Sequence, residues 1–324
     1  MIRELALLNE VRDKFWKALS RGYISTISGL FPRSADDQMK ASWASLVKPG
    51  DAIPDVFREF LESAQSEGRE FPYAVLTPSY EGFIHREVEK LVCDFEHEID
   101  VLERNGNSFR LQCYPLDRIS CVQHKTTLLA SSIKIRGMTK QDAPASSFFR
   151  YNTVTDCLFT PILHRMRHAS VSYKISAHRS ELAKFDPWRS VNLKFMNYAR
   201  RSLLAEERVL YKILQPEIRE PWHNFFGKTC YRTVSPTLAS ILTDKELIMI
   251  REDRWGSGDD RYGGIWDFLP LNKIMRLSSS ETDNGLLEFS IHLTDGHCLN
   301  YLFQSSAKRE IDRLRDRFLE LIVA

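Results

Sequence analysis

His164 and His168, in the run HRMRH, stand four residues apart, a spacing that puts two imidazoles on one side of a helix where they can grip a metal ion. Zinc-dependent hydrolysis at such a pair needs a glutamate directly after the first histidine, and Arg165 occupies that position. The neighbouring arginines also repel a cation, so the pair reads as surface histidines. Cys93 and His97 straddle a strand and its turn, which sends their side chains apart. His292 and His297 flank a hairpin and face each other across strands, with no third ligand beside them. No GxSxG elbow, GxxxxGK[ST] loop or GxGxxG turn occurs. Gly256, Gly258, Gly263 and Gly264 fall in a loop between strands, so they do not align backbone N–H groups for a phosphate as a helix start would. The sequence gives no support for catalysis, and no metal or cofactor is expected.

Residues suited to binding a partner are easier to find. The loop over 252–266 mixes Trp255, Tyr262 and Trp266 with Arg254 and Arg261, and aromatic side chains beside arginine are the usual anchors of interfaces. Lys134 and Arg136 project from the outward face of the strand expected over 129–136 and form a second candidate contact.

The elements that must position these groups follow from the wider pattern. The chain has 324 residues, enough for two domains, with 43% apolar and 27% charged side chains, as in ordinary globular proteins. Basic and acidic residues number 45 and 43, a balance without the footprint of a nucleic-acid binder, so no nucleic acid is expected. No run of 18 apolar residues occurs, and the first residues lack a signal peptide's unbroken apolar stretch. Cysteines 93, 113, 121, 157, 230 and 298 are scattered, with no CxxC pair, and read as buried, reduced thiols of a cytoplasmic protein.

The chain resembles itself. Tyr73-Ala-Val-Leu-Thr-Pro78 matches Tyr211-Lys-Ile-Leu-Gln-Pro216, and Glu98–Arg104 matches Glu246–Glu252. Tyr114-Pro-Leu-Asp-Arg-Ile119 matches Leu269-Pro-Leu-Asn-Lys-Ile274, and Leu128–Ile135 matches Leu286–Leu293. The four blocks keep their order, and each change of offset falls at turn residues, as expected of a repeat with unequal loops. Period-2 alternation, as in Leu287, Phe289, Ile291 and Leu293, predicts about seven strands per copy. Asn105-Gly106 and Asp295-Gly296 predict tight hairpin turns. A closing helix follows each copy. Val154, Leu158 and Ile162 form its stripe in the first, with Pro161 inside. Ile311, Leu314, Phe318 and Leu321 form it in the second, with Ser305 or Ser306 as cap.

Seven strands and a closing helix, twice, resemble the pleckstrin-homology-like (PH-like) fold, and Ile241–Ile248 followed by Leu269–Ile274 is similar to bacterial PH-like domains. The resemblance implies an α+β protein with two bent seven-stranded antiparallel sheets, or partly open barrels, each capped by its helix and folding independently. It places the domains at 71–168 and 208–324, after an N-terminal helical segment over 1–70 and joined by a helical linker over 169–207. It also implies binding of proteins, peptides or lipid headgroups without catalysis, and it is compatible with self-association. Phosphoinositide-binding relatives carry a basic cluster between their first two strands. The loops here, 79–88 and 217–236, hold only Arg86 and then Arg219, Lys228 and Arg232.

Outside the repeat, helices are predicted over 2–19, over 53–66 (Val56, Phe57, Phe60, Leu61) and in the linker, where Leu193, Met196 and Leu203 share a side. Residues 22–50, rich in Ser, Gly and Pro, read as loop. The expected role is a scaffold that recognises a protein or peptide. The alternative is association with an anionic membrane surface through the N-terminal helix.

Overall fold

A computed structural model describes residues 42–81, 86–168, 179–205, 207–225, 228–253 and 263–323. The helix expected over 2–19 lies outside the described residues, as do Arg254, Trp255, Arg261 and Tyr262.

The architecture is α+β with antiparallel sheets. Strand β1 (Ser45–Val47) lies within the stretch expected to be loop, and pairs with β2 (Tyr73–Thr77). Helix α1 (Asp55–Ser66) comes between them. A small hairpin, β3 (Tyr80–Glu81) and β4 (Arg86–Glu87), precedes β5 (Lys90–Asp94), β6 (Glu98–Asn105) and β7 (Ser108–Pro115). Then come β8 (Ile119–Thr126), β9 (Ser131–Met138), β10 (Pro144–Tyr151) and helix α2 (Asp156–His168). The connector contains α3 (Arg179–Ala183) and α4 (Leu193–Ser202).

The second copy runs β11 (Val209–Gln215), a hairpin of β12 (Ile218–Phe225) and β13 (Lys228–Ser235), β14 (Leu238–Thr243), β15 (Glu246–Arg251) and β16 (Gly264–Pro270). It ends with β17 (Ile274–Glu281), β18 (Leu286–Leu293), β19 (Cys298–Gln304) and helix α5 (Lys308–Val323). Setting the inserted hairpins aside, each copy has the same order of strands and then a helix. The four matching sequence blocks fall in matching elements: β2 with β11, β6 with β15, the β7–β8 turn with the β16–β17 turn, and β9 with β18. Gly106 and Gly296 take φ values of 62° and 85°, the left-handed turn geometry expected of them.

Details depart from expectation where side chains found other partners. Within 217–236, expected to be loop, Ile218–Phe225 and Lys228–Ser235 form a paired ribbon. Val154 is 57% exposed because the closing helix begins at Asp156, and Leu193 is 53% exposed because α4 buries Phe195, Met196 and Ala199 instead. Ser305 and Ser306 bond to the Gly285 carbonyl and Gln304 and do not cap α5. Only Cys93, Cys113 and Cys121 are buried; Cys157, Cys230 and Cys298 are exposed, and all six are free.

The larger correction concerns independence. The first sheet has the order β1-β2-β5-β6-β7, and the last has β17-β18-β19. Apart from the hairpins β3–β4 and β12–β13, the remaining strands form one sheet, β10-β9-β8-β16-β15-β14-β11, in which β8 of the first copy pairs with β16 of the second from Gly264–Thr126 to Phe268–Val122. Two sheet edges that would otherwise leave N–H and C=O groups unpaired satisfy each other.

This shared sheet is a wall between two interiors. One face carries Val122, Ile133, Ile135, Ile248, Ile250, Trp266 and Phe268 into a core with Phe159 and Ile162 of α2 and Phe195 of α4. The other carries Cys121, Leu238, Leu242, Leu247, Met249 and Leu269 against Phe289, Phe303 and Phe318. Burial on both faces explains why 238–243 and 246–250 are buried without alternation. On the first sheet, α1 does the covering, with Phe57 and Leu61 over Ala74, Leu91 and Leu102.

Buried charge reinforces the junction. Arg167 of α2 pairs with Glu246 of β15, and their side chains are 4% and 3% exposed. Arg167 also donates to the Ser202 carbonyl at 2.6 Å. Beside them, fully buried Glu207 bonds Thr243 Oγ1 at 2.5 Å and accepts from the Leu204 N–H at 2.8 Å. Burial, and then the Glu246 charge, push the Glu207 carboxyl up to about 8.

Candidate ligand cavity at the module junction

Because β8, β9, β15 and β16 lie side by side, residues far apart in sequence fall into register. Lys134, Gln123, Asp267, Met249 and Ser240 form one cross-strand row. Two residues along their strands, Arg136 and Arg251 keep to the same face by the period of the pleat. Where this face passes out from beneath β17–β19, a cavity of about 460 Å³ opens, a size typical of ligand sites. Gln123 and Arg136 come from the first copy, and Arg251, Asp267, Glu288 and Tyr301 from the second.

Asp267 is 1% exposed and organises the floor. It accepts from Gln123 Nε2 at 2.6 Å and from the Tyr301 hydroxyl at 2.9 Å. Arg251 Nε stands 3.7 Å from it, close enough for charge attraction and too far for a hydrogen bond. Burial, and then the Asp267 charge, raise the Tyr301 hydroxyl well above the ordinary phenol range. Burial raises the neighbouring Cys121 thiol in the same way.

The cations are less well served. Arg136 Nη1 and Arg251 Nε are buried atoms without a hydrogen-bond partner. Leaving such donors unpaired costs about 1–3 kcal/mol each, more for charged groups, so their presence at a cavity needs an account. Burial, and then the Arg136 charge, depress the Lys134 ammonium. What the arrangement can do is receive an anion, whose oxygens would accept from the two guanidinium groups.

Of the residues singled out from sequence, Arg136 lines this cavity and Lys134 lies beside it. Trp266, expected in a partner-binding loop, is a strand residue 8% exposed. It packs on Tyr198 at 4.8 Å and stacks with His124 at 6.0 Å, and so supports the junction. His292 bonds Ser278 at 3.1 Å while His297 contacts Asp295, so those two histidines are not brought together. Among the described residues no group of three or more His, Cys, Asp and Glu is placed to hold a metal, and no helix is long and apolar enough to cross a membrane. Gln123, Arg251, Asp267 and Tyr301 went unrecognised in the sequence. The available signal was Asp267 itself, a lone acid inside the apolar strand GIWDFLP.

No protein-family model matches the chain, and no curated protein matches it. Among solved structures, it is similar to a mutant form of the DH/PH domains of p115-RhoGEF, with 11% identity and a TM-score of 0.21. The alignment covers 52% of this chain and 45% of that one, so the chain spans less than half of that structure's length. A score this low leaves the architecture to rest on the strand order described above.

Proposed function

We propose that the chain is a non-catalytic binding protein of two PH-like modules, fused through one sheet, that receives an anionic group of a protein or peptide partner in the junction cavity. The observation that carries this reading is the pair of buried, unpartnered guanidinium atoms, Arg136 Nη1 and Arg251 Nε, at a cavity of about 460 Å³. The shared order of strands and closing helix supports the PH-like assignment of both modules. Binding is favoured over catalysis by the state of the ionisable groups. Asp267 is already engaged by Gln123 and Tyr301, and the protons of Tyr301 and Cys121 are held by burial. Three exposed free thiols suit a reducing, cytoplasmic setting. Membrane association through 2–19 concerns residues outside those described.

The test is titration of the full chain with inorganic phosphate and with glutarate, followed by calorimetry and thermal unfolding. Binding should stabilise the protein, weaken as salt is raised, and disappear in Arg136→Gln and Arg251→Gln. Absence of stabilisation by either anion would remove the reading.

A further inference from the structure

Strand β19 borders the cavity through Leu299, Asn300, Tyr301 and Leu302, and among the described residues it ends its sheet. On its open side the Leu302 carbonyl accepts from Gln215 Nε2 and Ser235 Oγ, both at 3.0 Å, and the Gln304 N–H donates to Gln215 Oε1 at 2.7 Å. The His297 carbonyl instead turns inward to the Leu293 N–H at 2.8 Å. Backbone groups in an antiparallel pair alternate from side to side, so those of Cys298 and Asn300 point outward with Leu302 and Gln304. Side chains therefore cap the Leu302–Gln304 half of this edge, while the other half, whose Leu299 and Asn300 line the cavity, presents one N–H and one C=O from each of Cys298 and Asn300.

The other edges of the larger sheets carry the usual safeguards against strand addition. Strand β10 begins with Pro144 and carries Arg150; β11 has a bulge between Val209 and Tyr211 and carries Lys212. Strand β17 has a bulge before Arg276, β7 carries Arg110, and β1 is only three residues long. Strand β19, CLNYLFQ, has no charge, no proline and no bulge in its pairing.

Resting on the anion-binding reading above, we propose that the occupant is an extended peptide segment that adds as a strand along Cys298–Asn300 and places an acidic side chain in the cavity, on Arg136 and Arg251. Backbone pairing supplies the general affinity of such additions, and the pocket beside the edge selects the side chain. A carboxylate accepts from two buried cationic N–H groups that lack hydrogen-bond partners, with a charge assistance that a neutral amide oxygen does not supply.

The experiment uses the full chain and two pools of acetylated, amidated hexapeptides. Both have Val, Ile, Thr or Tyr at the outer positions; one has a central Glu and the other a central Gln. The Glu pool should be retained at least about tenfold more tightly, and Arg136→Gln and Arg251→Gln should erase the difference. Asn300→Pro removes an outward N–H at an edge position where proline is tolerated. It should abolish peptide retention while inorganic phosphate still binds, which also shows that the variant is folded. N-methylation of the retained peptides should weaken them by a similar factor. Phosphate binding without preference for the Glu pool, or peptide binding unaffected by both Asn300→Pro and N-methylation, would overturn strand addition and leave the anion site standing. Failure of both phosphate and peptides to bind would overturn the anion site itself.

Discussion

Arg167 and Glu246 meet where the closing helix of the first module enters the second, with almost no surface of either side chain left to water. Removing one partner from such a pair leaves an uncompensated buried charge, which costs about 3–5 kcal/mol. Arg167→Ala should therefore lower the urea midpoint strongly. Arg167→Met combined with Glu246→Leu should recover most of the loss, because two apolar groups need no counter-charge. A single variant as stable as the parent would show that the junction does not depend on the pair.

The adjacent Glu207 makes stability depend on pH. Its folded-state value lies near 8, above the ordinary 4.5. Between those values the native state holds a proton that the unfolded chain has released. Stability should therefore fall as pH rises through this window, by up to about 1.4 kcal/mol per pH unit, and be fully present below it. Glu207→Gln should flatten that part of the profile, as measured by denaturant unfolding from pH 5 to pH 8.

Gly263 immediately precedes β16, the strand that joins the modules. Its φ of 108° and its approach to β8 leave no room for a side chain, since a Cβ there would lie 2.1 Å from the Thr126 carbonyl oxygen. Gly263→Ala should destabilise by at least about 1–3 kcal/mol. Faster hydrogen exchange should concentrate in 122–126 and 264–268, the residues of the joint.

Thiol chemistry offers a simple check on the burial pattern. Cys157, Cys230 and Cys298 should react rapidly with a disulfide reagent in the native state. Cys93, Cys113 and Cys121 should wait for unfolding, since burial raises all three thiols, Cys113 to about 12. Rapid modification of Cys121 would mean that the second core is open where β8 enters it.

How much of this was legible in the sequence depended on the range of the interaction. Strand alternation and helical stripes are local, so β18, α1 and α5 could be read directly from Leu287 to Leu293, from Val56 to Leu61 and from Ile311 to Phe318. The repeat gave the matching order. Strand β1 was missed because three residues carry too little periodicity to stand out. The joint between β8 and β16 was missed for a different reason: alternation tells which face a residue takes and not which edge its strand will meet. The unbroken apolar runs of 238–242 and 246–250 were the trace of a sheet covered twice. The cavity was assembled by that same joint, so Arg136, Arg251 and Asp267 became neighbours only once the pairing was known.

A wall with an interior on either side leaves this chain without a seam. Severed from its companion, each half would turn an oily surface to the solvent, so a cut in the connector would not yield two working pieces. Should two molecules trade halves, each hybrid would still possess a complete cavity, with Arg136 given by one polypeptide and Arg251 by the other.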